Sequence, residues 1–303
     1  MQDWWLKTYR EVGPSENQRM NTLVVDINFD PDYQIVDAKT AAVEAVHKIA
    51  SEHPGPYSLM ASGGIDSQTM ILAWKMSNIP FNVVHYSYMG LNAHDTETLS
   101  KFCQLHEVPF TTLIFDALTF ITSPQLVEYA KKYDCSSPQI LTYIAMIADH
   151  PETVIMAGNF INFEHCGLNY TILALERFAR EKKNFVPFFL MSTKDLAYAF
   201  YHTELTERIE QLKRGDQLND YTTKCHAYQS LGFSVVSQGG KFTGFEKIKA
   251  SFDSQTISGK IKLKHGSYNS KRPFDFLYRY SLYDSIGTYS ERTIYLAKPS
   301  NHK

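Results

Sequence analysis

No run of about 18 apolar residues occurs in this sequence, so no membrane-spanning helix and no membrane partner are expected. The first stretch, MQDWWLKTYREVG, lacks a long apolar core and is not expected to be a secretory leader. Cysteine is scarce: Cys103, Cys135, Cys166 and Cys225 lie far apart and form no CxxC pair. That excludes a disulfide framework and a zinc knuckle, and it points to reduced thiols and a cytoplasmic location. A charge excess is also missing. The 30 Lys and Arg nearly balance 32 Asp and Glu, for a formal net charge of -2. Non-specific nucleic-acid binding by the whole molecule is therefore not expected, although a local basic patch remains open. What is present is ordinary for a globular chain: 303 residues, 44% hydrophobic and 20% charged. That suits one large domain or two modest ones and excludes a disordered chain.

Short apolar runs alternate with helical patterns. Asp37 is placed to cap a helix running to about Glu52, whose Ala41, Ala42, Ala45, Val46 and Ile49 share one face. Strands are expected at Tyr57–Ala61, Asn82–Tyr88, Phe110–Phe115 and Thr153–Ala157. Helices are expected at Ser67–Met76, Asp95–His106 and Pro138–Asp149, the last capped by Ser136 or Ser137. This alternation predicts right-handed βαβ units and a parallel sheet, with ligands at the carboxyl ends of its strands. Thr22–Asp26 reads as a further strand-like piece. After about Lys183 the pattern changes: a helix is expected from about Thr193 to Lys213, then tyrosine- and glycine-rich text with short strand-like pieces. The expected organisation is an extension over 1–36, a nucleotide-binding domain over 37–183 and a substrate-facing region over 184–303.

The chemistry concentrates in Tyr57-Ser58-Leu59-Met60-Ala61-Ser62-Gly63-Gly64-Ile65-Asp66-Ser67. Two glycines after a strand let the backbone approach a ligand with no Cβ in the way. The following helix points its N–H groups and positive dipole end back at the loop, which makes an anion site. Ser62 and Ser67 can donate hydroxyl hydrogen bonds to phosphate oxygens. The carboxylate of Asp66 makes sense there if a divalent cation is shared with phosphate, as Mg²⁺ is. The GxxxxGK[ST] pattern is absent, because no lysine follows these glycines.

Ser62-Gly63-Gly64-Ile65-Asp66-Ser67 resembles the SGGxDS loop of the PP-loop ATP pyrophosphatases, the adenine nucleotide alpha-hydrolase-like superfamily. Asparagine, GMP and NAD synthetases, tRNA lysidine and thiolation enzymes and 7-cyano-7-deazaguanine synthase belong to it. The resemblance covers roughly residues 37–200. It implies an α/β fold of HUP type, a doubly wound parallel sheet, here with a smaller C-terminal region. It also implies ATP and Mg²⁺, cleavage between the α and β phosphates, and a substrate oxygen that is adenylated before a nucleophile displaces AMP. Pyrophosphate would sit in the loop at Ser62, Gly63, Gly64, Asp66 and Ser67.

The same resemblance assigns further residues. The adenine would lie near Val84, His85 and Tyr86, on a strand similar to that of the deazaguanine synthase branch; Tyr88-Met89-Gly90 lacks that branch's glutamine. Gly158 and Asn159 match the family's second turn, and Glu164 supplies its acid, a second metal ligand beside Asp66. Gln139 is a weaker nucleotide contact, by analogy with sulfonucleotide reductases. Ser192-Thr193-Lys194 resembles a stretch in which a lysine steadies the phosphates, and Lys241, set among glycines, is the rival catalytic cation. An N-terminal cysteine for a class II glutaminase is lacking, since residue 2 is Gln2, and no paired or clustered late cysteines suit thiolation or a zinc site. An amide- or amine-forming ligase is the reading that survives. The alternatives are a non-catalytic nucleotide or nucleic-acid binding module and a reductase-like enzyme using Cys225. The acceptor is expected to be a small molecule or a nucleotide, with ammonia or an amine as donor and a homodimer as the common assembly. The last 45 residues carry nine Lys or Arg against three Asp or Glu, interleaved with tyrosines. They read either as a nucleic-acid surface or as a small packed subdomain with a solvated face.

Overall fold

The computed structural model describes residues 8–12, 22–26, 32–133, 135, 137–158, 161–162, 167–169, 173–201, 220–236 and 244–258. Two sheets are formed. A small antiparallel one joins β1 (Thr8–Val12), β2 (Thr22–Asp26), β7 (Ile161–Asn162) and β8 (Gly167–Asn169) in the order β1-β2-β8-β7. The larger contains β3 (Tyr57–Met60), β4 (Asn82–Ser87), β5 (Phe110–Ile114), β6 (Thr153–Met156) and β9 (Phe185–Val186) in the order β5-β4-β3-β6-β9, all parallel. The expected doubly wound α/β fold is thus present. Strand order runs one way from β3 through β4 to β5, then reverses to β6 on the other side of β3. With right-handed crossovers the reversal puts successive helices on opposite faces and opens a crevice beyond β3 and β6.

The helices are α1 (Ala38–Glu52), α2 (Ile65–Ser77), α3 (Ala93–Leu105), α4 (Ala117–Ile121), α5 (Pro124–Lys132), α6 (Pro138–Ala148), α7 (Leu173–Glu181), α8 (Lys194–Tyr201), α9 (Asp220–Ser230) and α10 (Phe245–Ile257). Asp37 caps α1, its Oδ2 accepting from Thr40 N at 2.9 Å. The anticipated apolar stripe of α1 is buried, and it packs on α2 and α8. Ser137, not Ser136, caps α6. α2 buries Met70, Ile71, Ala73 and Trp74 completely, at roughly 1.5–3 kcal/mol for each large side chain. That burial anchors the helix whose first turn faces the crevice.

Two expectations change. Among the described residues after Gly215, α9 and α10 are helices that the sequence reading did not expect. In α10, Phe245, Ile248, Phe252 and Thr256 are buried at helical spacing, so tertiary burial outweighs the β-branched and aromatic content. The helices α4, α5 and α7 were also not anticipated. Beyond residue 183, β9 completes the main sheet. Of the helix expected from about Thr193 to Lys213, the described part is α8, Lys194–Tyr201, and residues 202–219 lie outside the described set. The C-terminal basic stretch from 259 onward also lies outside it. The thiols of Cys103, Cys135 and Cys225 are buried. Among the described residues no helix is long and apolar enough to cross a membrane.

Candidate active site

The Ser62–Ser67 loop leaves the central strand β3 and enters α2 at the reversal of strand order. Gly63 has φ +79, which only glycine adopts cheaply. Gly64 is the N-cap of α2 and offers no side-chain cap, so the first intrahelical bond is Gln68 N to Gly64 O at 3.0 Å. The N–H groups of Ile65, Asp66 and Ser67 therefore have no acceptor within the helix, and an anion beside the loop would receive them. The two serines shape the loop. Ser62 N donates to Ser67 Oγ at 3.2 Å, the two hydroxyls are 3.4 Å apart, and Gly64 N donates to Ser62 Oγ at 3.4 Å. Ser62 is exposed and Ser67 is buried.

Asp66 lies in the first turn of α2, where the dipole favours a negative charge. Its Oδ2 is 2.7 Å from Lys224 Nζ, and its Oδ1 accepts from Tyr228 OH at 2.8 Å. Both partners come from α9, one turn apart. Neither was anticipated from the sequence; the only hint is a Lys and a Tyr at i and i+4, which share a helix face. Gln68 was missed as well. It is fully buried. Its Nε2 donates to Gly63 O at 2.8 Å and to Val236 O at 3.1 Å, and its Oε1 accepts from Val236 N at 2.7 Å. A glutamine within an otherwise buried helix face had to find such partners.

β4 presents its side chains alternately. His85 faces the loop: Nδ1 is 2.9 Å from Ala61 O, and Nε2 is 3.1 Å from Asn92 Nδ2. Asn92 Nδ2 can only donate, so Nε2 accepts and Nδ1 carries the proton. Burial holds the imidazole below its usual pKa, in keeping with a neutral ring. Asn92 also donates to Tyr86 O at 2.9 Å and accepts from Tyr88 N at 2.7 Å. The exit of β3 is thereby tied to the exit of β4. Tyr86 faces α6, where its hydroxyl donates to Met146 O at 2.8 Å. Val84 is buried on the same side of the strand as Tyr86.

Gly158 follows β6 at the same edge, with φ +55. A Cβ there would meet Pro187 O at 2.1 Å and Phe188 Cα at 2.7 Å, so the backbone following β9 crosses directly over it. Asn159, Glu164 and Lys241 lie outside the described residues. Lys194 has its Nζ 4.1 Å from the Tyr33 ring centroid and 5.4 Å from that of Tyr198. Tyr33 OH donates to Asp195 at 2.6 Å, and that bond is the main reason its pKa is raised to about 12. Among the described residues, Lys224 is a cation in contact with Asp66 of the loop. Gln139 bonds within its own helix, to Tyr143 OH at 2.8 Å.

Among the described residues no three His, Cys, Asp or Glu side chains cluster as an all-protein metal cage would need. One partly exposed carboxylate beside an anion-binding loop does fit Mg²⁺, which is commonly held by one or two carboxylates together with substrate phosphates.

No protein-family model and no curated protein matches the sequence. Among solved structures, NMN synthetase from Francisella tularensis aligns at 13% identity over 71% of this chain and 100% of its own, with a TM-score of 0.33. NH3-dependent NAD synthetase from Campylobacter jejuni aligns at 14% identity over 68% of this chain and 96% of its own, with a TM-score of 0.31. The U34-tRNA thiolase NcsA from Methanococcus maripaludis aligns at 13% identity over 64% and 78%, also at 0.31. At these low TM-scores the functional reading rests on the loop and its surroundings.

Proposed function

We propose that this chain is an ATP-dependent ligase of the PP-loop type, which adenylates a substrate oxygen, releases pyrophosphate, and then exchanges AMP for ammonia or an amine. The observation that carries this reading is the SGGIDS loop at the carboxyl end of the central strand, at the reversal of strand order. The backbone N–H groups at the start of α2 and the hydroxyls of Ser62 and Ser67 would hold the pyrophosphate. Their placement before the reaction is what makes them effective, since fixed donors need no reorganisation as charge develops on the leaving group. Asp66 would hold the Mg²⁺. When bound, that ion supplies charge neutralisation across the phosphates. Adenine would lie along the exit of β4, where His85 and Asn92 fix the backbone of Ala61, Tyr86 and Tyr88. Gly158 and Asn159 would border the nucleotide from β6. Glu164 remains a proposed second metal ligand, and Lys194 and Lys241 remain proposed phosphate-steadying cations. The acceptor class remains a small molecule or nucleotide, with nucleic acid open through the basic C-terminal stretch, and the assembly a homodimer.

In the first step the acceptor oxygen bonds to the α phosphorus while the bond to pyrophosphate breaks. In the second the nitrogen bonds to the activated carbon and AMP leaves with the oxygen. The reductase-like alternative is weakened by Cys225: it is 2% exposed, and its thiol is directed at Val235 O at 3.7 Å. ATP labelled at the α phosphate, supplied with Mg²⁺, ammonia and a pooled metabolite extract, tests the proposal. AMP and pyrophosphate should form in equal amounts, and Asp66→Ala should lower their formation by at least about a hundredfold. ADP with orthophosphate as products would overturn it.

A further inference from the structure

Where β3 leaves the sheet, two buried side chains take over from the backbone ladder. The pairing of β3 with β4 runs to Met60 and Val84 and closes with Ala61 N donating to Val84 O at 3.0 Å. Ala61 O and Tyr86 O are the next acceptors along this seam, and a strand turning away into a loop deprives both of a ladder donor. His85 and Asn92, 3% and 2% exposed, serve them instead. The imidazole Nδ1 is 2.9 Å from Ala61 O, and Asn92 Nδ2 donates to Tyr86 O at 2.9 Å. The two side chains meet at 3.1 Å, Asn92 Nδ2 to His85 Nε2, and Asn92 Oδ1 accepts from Tyr88 N at 2.7 Å. Tyr88 N can only donate and Tyr86 O can only accept, so the amide has one orientation and the imidazole one tautomer. Asn92 is also the N-cap of α3, where an asparagine ordinarily accepts from the first turn of its own helix. Here it makes no such bond and turns back to β4. From the other side α10 begins directly on it: a Cβ at Gly244 would meet Asn92 Cβ at 2.1 Å, and Gly244 N donates to Asp95 at 3.2 Å.

We propose that His85 and Asn92 form a spacer that fixes the separation between the Ser62–Ser67 loop and the exit of β4, so that a nucleoside triphosphate is selected by its span as well as by its two ends. The proposal rests on the reading of Ser62–Ser67 as a pyrophosphate site, with the base along β4, and adds to it what sets the distance between the two. A ligand that touches two sites gains over its separate halves only when the sites are held at a matching distance. A rigid imidazole and a fully engaged amide supply that distance in advance, which removes an ordering cost at binding. Both ring nitrogens of His85 are engaged in this chain, one by Ala61 O and one by Asn92. His85 is therefore a positioning residue that acts through the backbone of Ala61, rather than a side chain that meets the adenine. Asn92 does the same for the peptides of Tyr86 and Tyr88, and α10 backs it.

The test uses the full chain with Mg²⁺ and three probes followed by calorimetry: inorganic pyrophosphate, AMP, and α,β-methylene ATP, which spans both sites and is not cleaved between them. Wild type should bind the spanning analogue more tightly than either half. His85→Phe keeps a ring and removes both nitrogens. It should bind the analogue about tenfold more weakly while pyrophosphate and AMP stay within about twofold of wild type. His85→Gln, which retains one donor and one acceptor, should recover most of the lost affinity. Should His85→Phe not fold, His85→Leu replaces it with the same expected split. A variant that weakens all three probes alike, or none, would make the pair a structural tie and overturn the spacer. A loss confined to AMP and the analogue, with no rescue by His85→Gln, would make His85 a base contact and overturn it too. Failure of wild type to bind pyrophosphate would instead overturn the reading of the loop itself.

Discussion

A carboxylate in the first turn of a helix is stabilised by the dipole whether or not a ligand is near, and a glycine after a strand is often no more than a turn. At this site the plain role can be read directly for one glycine. Gly158 lies at the expected edge, yet the backbone crossing above it at 187–188 already demands a glycine. Gly158→Ala should therefore cost at least about 2 kcal/mol, from the positive φ and the backbone clash together, read as a lowered urea midpoint. Gln68 can be probed in the same way. Gln68→Leu removes the acceptor of Val236 N and the amide donor that Gly63 O and Val236 O share. A loss of about 2 kcal/mol is expected, together with weaker pyrophosphate binding, because Gly63 O loses its tether.

At the scale of elements, the docking of α10 against α3 carries a pH dependence. Burial raises the Asp95 carboxyl from 3.8 to about 6, opposed by His94 at 3.3 Å, by the Gly244 N–H bond and by Lys247, and reinforced by Glu246. A raised carboxyl binds its proton more tightly in the folded state. Its contribution is then fully present below pH 3.8 and lost as pH rises through about 6. Asp95→Asn cannot lose a proton. Its stability relative to wild type should improve between pH 4 and 7, by on the order of 2 kcal/mol, in urea titrations at each pH. A gap that stays constant with pH would show that Asp95 is not the responsible group.

Across the whole molecule, the two ends of the main sheet carry different duties. The carboxyl ends of β3, β4 and β6 hold the candidate site. Where β3 and β6 begin, His150 Nε2 is 3.0 Å from Ser58 Oγ, which in turn donates to Glu152, and His150 Nδ1 is 3.1 Å from Tyr86 OH. Burial lowers the pKa of His150, with Lys182 acting in the same sense and Glu152 against it. A lowered imidazole contributes stability that is present above its ordinary value of 6.5 and lost as pH falls. His150→Gln should flatten the decline of stability between pH 7 and 5 while leaving pyrophosphate affinity within about twofold of wild type. A matching loss of affinity would show that the two ends of the sheet are coupled.

The parts legible in the sequence were those set by neighbours in the chain. The alternation of strand and helix, the Asp37 and Ser137 caps, the glycine turn and the acid after it all follow from local periodicity and backbone geometry, and they place the SGGIDS loop at the end of a buried strand. The helix α10 was legible in principle, through its spacing of Phe245, Ile248 and Phe252, but aromatic and β-branched content masked it. What only the tertiary structure decided is the company Asp66 keeps. Lys224 and Tyr228 lie 158 and 162 residues away from it in the chain, and no period or motif links positions so distant. Their meeting depends on α9 being packed against Phe200 and pinned to α2 through Val236. The same holds for Gly158, whose need for glycine is set by the backbone of Pro187 and Phe188, almost thirty residues further along the chain. Local sequence specifies a glycine turn at the end of a buried strand; the packing of distant helices determines which charge stands beside it.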